Sequence, residues 1–283
     1  MEIGFINGRF VPKEEISISP DDRGFLFADG IYEVVRWYCG DFFDMEGHHA
    51  RLKRSISELG IVWTEAGSYP EICRKLISMN DLDKSPALVY MQVTRGAAKR
   101  THTFPSPAVP PTVYAFARSF IPESSGKENG ISVLLKDDFR WSRCDIKSVA
   151  LLANTISFEE ATQKGFGECI YSRDGKITEG SHSNIFFVKN GTVLTHPESV
   201  YVLSGITRKN AIAVAKELGI RVKEEAVKEE ELAEMDEAFI TNTSAEVTPV
   251  VGIGNIKIAD GKPGSVTCRI REGFAALTGQ LKH

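Results

Sequence analysis

The sequence reads RCDIKS at residues 143–148 and TEGSHSNIF at residues 178–186. These two segments place Lys147 and Glu179 thirty-two positions apart. A lysine or a glutamate taken alone is most often an exposed surface residue. Only the joint occurrence of both residues within these two segments argues against that interpretation, so the fold assignment depends on the elements found around them.

Length and composition limit the classes of protein to consider. At 283 residues the chain exceeds the usual size of one compact core, which predicts two packed domains. A formal net charge of -4 provides no basic field, which argues against nucleic acid or a membrane surface as the partner. We therefore expect a small-molecule partner.

Targeting and cysteine patterns indicate the compartment. The N-terminus lacks the pattern of a secretory signal, and no apolar run approaches the roughly 20 residues of a membrane span. The five cysteines are scattered and contain no C-x-x-C pair, which fits free thiols in a reducing compartment. His48 and His49 have no further ligand at a recognisable spacing. We expect a cytoplasmic protein without a metal site.

Turn signals divide the chain into hairpins and helices. Asn7-Gly8 lies between two apolar stretches and predicts a two-residue hairpin, and residues 30–38 read as a strand. Asp44 can cap a helix that Gly60 ends. The polar stretch 122–130 indicates a break between domains. We expect a small α+β domain at residues 1–120, a linker at 121–130, and a larger β-rich domain with helices at 131–283 that carries Lys147.

The segments around Lys147 and Glu179 resemble the fold-type IV pyridoxal-phosphate-dependent enzymes. Those enzymes pair a lysine that forms a Schiff base with a glutamate in an E-G-S-x-S-N-like strand. The resemblance implies a two-domain α+β or α/β fold of the D-amino-acid aminotransferase type, with pyridoxal 5′-phosphate as cofactor. It also implies that Lys147 anchors the cofactor and acts as the base, and that Glu179 keeps the ring nitrogen protonated.

Three further segments resemble the family's phosphate contacts. HHARL at residues 48–52 is similar to the H-x-x-R-L helix, whose arginine binds the phosphate; a structural ion pair is the alternative for Arg51. LSGITR at 203–208 resembles the family's G-[IV]-T-R turn, and TNTSAEVTP at 241–249 resembles its T-[AST]-x-E-[IV]-x-P loop. An ordinary helix cap and an ordinary turn are the alternatives there. The cofactor contacts that these two segments imply are Leu203, Ile206, Thr207, Thr243 and Ser244.

The segment QVTRGAAKRTHTFP at residues 92–105 is similar to the Q-V-T-R-G-x-x-x-R-x-H-x-F-P loop of D-amino-acid aminotransferases. By this resemblance Arg100 and His102, with Tyr32 from GIYEV at 30–34, bind the substrate α-carboxylate. The guanidinium of Arg100 can bind a carboxylate through two hydrogen bonds, and His102 and Tyr32 can each donate one more. An exposed basic loop without a ligand is the alternative.

The resemblance implies a ping-pong transamination between a D-amino acid, such as D-alanine, and a 2-oxo acid, such as 2-oxoglutarate. It also implies a homodimer. A branched-chain L-amino-acid aminotransferase and an aminodeoxychorismate lyase are alternatives on the same fold, but the R-x-H loop argues against both. A non-enzymatic protein that binds the cofactor is a weaker alternative, because Lys147 and Glu179 are both present.

Overall fold

The structure is a computed structural model that describes residues 2–121 and 125–279. The chain forms two compact units. The first comprises Met1–Ile121, Ile146–Ala150 and Thr278–His283, and the second comprises Pro122–Asp145 and Leu151–Leu277. No helix in the described ranges is long and apolar enough to cross a membrane.

The first unit contains a five-stranded antiparallel sheet with the strand order β2-β1-β5-β4-β3. Helices α2 and α3 pack on this sheet. The elements in chain order are β1 Ile3–Ile6, β2 Arg9–Pro12, α1 Arg23–Phe27, β3 Gly30–Tyr38, α2 Met45–Glu58, α3 Tyr69–Met79, β4 Pro86–Thr94 and β5 Thr112–Ser119.

Local sequence signals explain several boundaries of the first unit. Asn7 and Gly8 have φ values of 46° and 85°, the left-handed pair that a two-residue hairpin between β1 and β2 requires. The Asp44 side chain accepts a hydrogen bond of 3.0 Å from the Gly47 amide and so caps α2. Gly60 follows the helix with φ of 60°. The predicted first hairpin, the strand at 30–38 and the capped helix are confirmed.

The core of the first unit lies between the sheet and its helices. Alternate residues of β3 point into it, so Ile31 and Val35 are fully buried beside Leu52 of α2 and Leu76 of α3. Glu33 occupies the position between Ile31 and Val35 on the same face and is fully buried as well. A charged side chain therefore lies on the inward face of the strand, beside apolar core residues.

The second unit contains a larger mixed sheet with the order β11-β10-β9-β12-β13-β6-β7-β8, and β14 pairs with β13. Its parallel pairs are β10/β11, β13/β6 and β6/β7. The elements from residue 125 to the end of the described chain are α4 Ser125–Asn129, β6 Ile131–Asp137, α5 Leu152–Gln163, β7 Glu168–Arg173, β8 Lys176–Gly180, β9 Asn184–Lys189, β10 Thr192–Thr195, α6 Ile206–Glu217, β11 Arg221–Glu224, β12 Glu237–Asn242, β13 Glu246–Ile253, β14 Ile256–Lys257 and α7 Ser265–Gly279.

The domain boundaries differ from the sequence prediction in two respects. Residues 122–124 of the expected linker lie outside the described residues, and 125–129 form a helix that the Lys127–Glu246 ion pair of 2.6 Å ties to β13. The sequence also predicts Lys147 within the C-terminal domain, but residues 146–150 group with the first unit. The reason is backbone pairing with β3: the Tyr32 amide donates to the Lys147 carbonyl, and the Val149 amide donates to the Gly30 carbonyl, both at 3.0 Å.

Candidate active site

Lys147 lies beside Tyr32 in the first unit. The Lys147 side chain is half-buried, and its Nζ is 4.3 Å from the centroid of the Tyr32 ring. The Lys147 amide donates to Ser55 Oγ of α2 at 3.4 Å. The structure therefore brings the predicted cofactor lysine and one predicted substrate contact together.

Arg51 forms a buried ion pair with Glu33. Its Nε donates to Glu33 Oε2 at 3.0 Å, and its Nη2 donates to Glu33 Oε1 at 2.6 Å. His48 Nδ1, one turn earlier on α2, lies 3.0 Å from the same Oε1. The structural ion pair that the sequence leaves open for Arg51 is thus present. It uses two of the five guanidinium N–H donors.

The electrostatics of this group favour an ionised Glu33. Burial opposes ionisation, but the Arg51 guanidinium and His48 hold the pKa of Glu33 well below its usual range. Burial also lowers the pKa of His48, although Glu33 opposes that shift. Glu33 therefore fixes the direction of the guanidinium on the face of α2 that also carries Ser55.

Arg100 and His102 lie on an exposed loop between β4 and β5. Their closest described partner is Phe27 of α1: Arg100 Cζ is 5.0 Å from the Phe27 ring centroid, and the His102 ring is 5.7 Å from it. Tyr32 has different described partners, namely Lys147 and the Tyr90 ring at 5.7 Å. The described contacts join Arg100 to His102 through Phe27 but do not join either residue to Tyr32.

Glu179 is buried near the end of β8 in the second unit. Arg140 Nη1 donates to its Oε1 at 2.6 Å, and the Leu203 amide and Asn184 Nδ2 donate to its Oε2 at 2.9 and 3.2 Å. Burial raises the pKa of Glu179, and Arg140 opposes that shift. The carboxylate is thus held in one orientation by a guanidinium and two neutral donors.

Hydrogen bonds connect the Glu179 carboxylate to Leu203, in the segment before α6. Asn184 Nδ2 also donates to the Leu203 carbonyl at 2.9 Å, which ties Glu179 to the segment before α6. Helix α6 begins at Ile206 after Gly205, which provides no side-chain cap for the first N–H groups. Thr207 is buried in its first turn. A Cβ on Gly205 would overlap with Asn184 Oδ1, so an alanine at this position would have to displace the Asn184 side chain.

Thr243 and Ser244 lie in the turn between β12 and β13, where both side chains are half-buried. The Ala245 amide donates to Asn242 Oδ1 at 2.6 Å and closes that turn. Helix α6 packs against both β12 and β13. In the second unit, the start of α6 carries the hydroxyl of Thr207, and the turn between β12 and β13 carries those of Thr243 and Ser244. The helix that begins at the first segment packs against both strands of the second.

Comparison with known proteins gives a consistent result. Residues 30–253 match the family described as Amino-transferase class IV. The chain is 41% identical to a D-alanine aminotransferase of Staphylococcus haemolyticus over 271 residues, 95% of each chain. The branched-chain amino acid aminotransferase structure of Escherichia coli superposes with a TM-score of 0.91 at 26% identity, covering 100% of this chain and 96% of that chain. The chain belongs to the class IV aminotransferase family.

This membership confirms the fold and the resemblance seen in the sequence. A second class IV structure, the T.th. branched-chain amino acid aminotransferase complexed with N-(5′-phosphopyridoxyl)-L-glutamate, has a TM-score of 0.87 at 27% identity, covering 99% of this chain and 95% of that chain. Fold-type IV aminotransferases use pyridoxal 5′-phosphate, so the family identifies both the reaction type and the cofactor.

The residues of this aminotransferase fit that cofactor chemically. An aldehyde requires an amine, and Lys147 is a half-buried amine beside an aromatic ring. A cationic ring nitrogen requires a carboxylate, and Glu179 is a buried carboxylate whose orientation Arg140 fixes. A phosphate suits backbone N–H groups at the start of a helix, and α6 begins there without a side-chain cap.

Three supporting residues of the aminotransferase were not identified from the sequence. Glu33 had a detectable signal, because it is a charged residue at an inward position of the alternating strand β3. Asn184 had a signal as well, because it is the last residue of the E-G-S-x-S-N-like segment. Arg140 had none, since its role depends on a contact with Glu179 that is formed only in the folded protein.

Proposed function

We propose that this aminotransferase exchanges an amino group between a D-amino acid and a 2-oxo acid, with D-alanine and 2-oxoglutarate as the reference pair. The proposal rests on the position of Tyr32, which is an expected contact of the substrate carboxylate. The centroid of its ring lies 4.3 Å from Lys147 Nζ. A substrate carboxylate bound at Tyr32 keeps the adjacent amino group and Cα near the lysine amine.

The preference for the D-amino acid is supported by the relatives. A D-alanine aminotransferase of Bacillus licheniformis is 38% identical over 94% of this chain and 93% of its own, in addition to the staphylococcal enzyme. The branched-chain aminotransferases named above share the fold at lower identity. The Arg100–His102 segment matches the D-amino-acid pattern, so the branched-chain and lyase alternatives are less well supported.

Three residues of the first unit have a defined role in this proposal. Bound pyridoxal phosphate supplies an aldehyde and an electron-accepting ring. Lys147 would hold the cofactor, and its amine, when it is not bound to the cofactor, would take the proton from the substrate Cα. Glu33 orients Arg51 by two hydrogen bonds, and the Arg51 guanidinium would bind the phosphate.

The second unit would hold the ring and the phosphate. Glu179 would bind the protonated ring nitrogen, and Arg140 favours the ionised carboxylate against the cost of its burial. The first N–H groups of α6 with Thr207, and the turn containing Thr243 and Ser244, would bind the phosphate. Leu203 and Ile206, on either side of Gly205, would make the remaining cofactor contacts.

Arg100 and His102 complete the recognition of the substrate α-carboxylate. Both side chains are exposed, so they are accessible to a charged ligand. We also propose that the enzyme is a cytoplasmic homodimer. The family resemblance supports the dimer, and the five free cysteines agree with a reducing compartment.

The experiment adds D-alanine and L-alanine separately to the yellow, cofactor-loaded enzyme and records the loss of its visible absorption. We expect D-alanine to remove the absorption and 2-oxoglutarate to restore it, because the two half-reactions are coupled only through the cofactor. Lys147→Ala is the control that should respond to neither amino acid. Conversion by L-alanine alone would contradict the proposed specificity.

A further inference from the structure

Arg23 is a buried arginine of α1 whose contacts lead to the loop that carries Arg100 and His102. Only 2% of Arg23 is exposed. Its Nη1 donates to the Thr101 carbonyl at 2.8 Å and more weakly to the Thr103 carbonyl at 3.4 Å. Thr101 is the residue between Arg100 and His102, so Arg23 holds the backbone midway between the two side chains.

Asp29 orients Arg23 together with a second arginine. The Asp29 carboxylate accepts Arg23 Nε at 2.8 Å, Arg95 Nε at 2.7 Å and Arg95 Nη2 at 3.0 Å. The three side chains are 3%, 9% and 8% exposed for Arg23, Asp29 and Arg95. Burial opposes ionisation of Asp29, but hydrogen bonds from Arg95 and Arg23 hold its pKa below the usual value. We call these three residues the Asp29 cluster.

The Asp29 cluster also contacts the loop at a second residue. The Arg95 guanidinium lies 3.5 Å from the centroid of the Phe104 ring, two residues after His102. Arg95 Nη2 donates to the Leu59 carbonyl at 2.7 Å, which connects the cluster to the end of α2. The loop is therefore anchored through a carbonyl at Thr101 and through a ring at Phe104.

The base of the loop is fixed by backbone contacts with α1. The Arg23 amide donates to the Gly96 carbonyl at 3.0 Å, and the Ala98 amide donates to the Asp21 carbonyl at 3.2 Å. Gly96 has φ of 97°, and a Cβ there would collide with the Pro110 carbonyl oxygen. Both ends of the loop are thus tightly placed, while residues 99–104 between them are exposed and outside regular secondary structure.

We propose that Arg23 is a positioning residue for substrate recognition: through the Thr101 carbonyl it fixes the loop in the conformation that presents Arg100 and His102 to the substrate carboxylate. This inference rests on the proposed function. An exposed polar segment without sheet or helix hydrogen bonds samples many conformations, and each one that misdirects Arg100 or His102 lowers the affinity for the carboxylate.

The guanidinium geometry is essential for this task. Arg23 reaches Asp29 with Nε and Thr101 with Nη1, which are rigidly joined in one plane. A lysine keeps the positive charge for Asp29, but its single ammonium cannot occupy both donor positions. Arg23→Lys therefore removes the anchor of the loop while leaving the charge of the cluster unchanged.

The test measures kcat and KM for D-alanine with the cofactor-loaded enzyme and its Arg23→Lys and Arg100→Ala variants. Hydrogen exchange of a peptide covering residues 97–104 is the second measurement. Lys99→Gln is the matched control, because it removes an exposed positive charge from the same loop without touching the cluster. We expect Arg23→Lys to raise KM about tenfold, equivalent to about 1.4 kcal/mol, with kcat within about threefold.

The same variant should exchange faster in residues 97–104 but not in β4 or β5, and Lys99→Gln should leave KM within about twofold of the unaltered enzyme. The effects of Arg23→Lys and Arg100→Ala on KM should be less than multiplicative in the double variant, because Arg23 acts through Arg100 and His102 and the Arg100 part of its effect is already lost. An unchanged KM in Arg23→Lys beside a raised KM in Arg100→Ala would overturn the inference and leave the proposed function intact. An unchanged KM in Arg100→Ala would instead contradict the proposed carboxylate site.

If Arg23→Lys does not fold, Asp29→Asn takes its place, because it keeps the shape of the side chain and removes the charge that orients Arg23. A raised KM for D-alanine with faster loop exchange supports the inference. A KM and an exchange rate equal to those of the unaltered enzyme overturn it.

Discussion

Replacement of Glu33 by Gln should strongly destabilise the first unit. Glu33 is fully buried, and its carboxylate accepts hydrogen bonds from Arg51 Nε at 3.0 Å and from Nη2 at 2.6 Å. Gln has nearly the same volume, so the change creates no cavity. It leaves the Arg51 guanidinium, which is 8% exposed, without its counter-charge. Removing one partner of a buried pair costs about 3–5 kcal/mol, and we expect a loss of that size.

The loss is measured as a decrease in the free energy of urea unfolding at neutral pH. Glu58→Gln is the matched control on α2: Glu58 pairs with Arg54 at 4.0 Å on the surface, and such pairs contribute about 0–1 kcal/mol. A Glu33→Gln variant as stable as Glu58→Gln would refute the account of the buried pair.

The Glu33 carboxylate should also make the stability of the folded protein depend on pH. The pKa of Glu33 is lower in the folded protein than in the unfolded chain, mainly because Arg51 overcomes the opposing effect of burial. Its stabilisation is therefore fully present above the unfolded pKa of about 4.3 and decreases as the pH falls toward the folded value. The free energy of unfolding of the unaltered enzyme should fall steeply below about pH 4, and that of Glu33→Gln should fall less steeply.

Three further changes test the site. Lys147→Ala should abolish turnover while circular dichroism stays unchanged, and measurable transamination would count against the assigned base. Gly205→Ala should displace the Asn184 amide from Glu179 and weaken cofactor binding about tenfold in a titration, or about 1.4 kcal/mol; unaltered affinity would contradict the steric argument. Arg140→Gln should raise the pKa of Glu179 further, so the absorption of the bound cofactor should change at a higher pH when the enzyme is acidified. The same transition pH as in the unaltered enzyme would exclude this role for Arg140.

Local signals in the sequence predicted much of the fold. The Asn7-Gly8 pair adopts positive φ values at both positions, because the predicted two-residue hairpin requires them. The cap at Asp44 and the alternation along β3 are equally local. Such features depend on a few neighbouring residues and need no knowledge of the tertiary structure.

Long-range contacts account for what the sequence did not reveal. Lys147 groups with the first unit because its segment pairs with β3, and no local pattern indicates that pairing. Arg140 meets Glu179 across 39 positions of the chain. The motif around Arg51 indicated a phosphate contact but not the buried Glu33 that orients it. Motifs therefore indicated the candidate reacting groups, and the fold was needed to identify the residues that hold them.

The role of Lys147 can be tested directly by chemical mapping of the cofactor. Borohydride fixes a cofactor aldehyde irreversibly to the amine that holds it, and digestion followed by mass spectrometry locates the modified residue. We predict a phosphopyridoxyl group on Lys147, and none after prior addition of D-alanine has released the lysine. Modification of a different lysine, or of none, would contradict the assignment on which the proposed function depends.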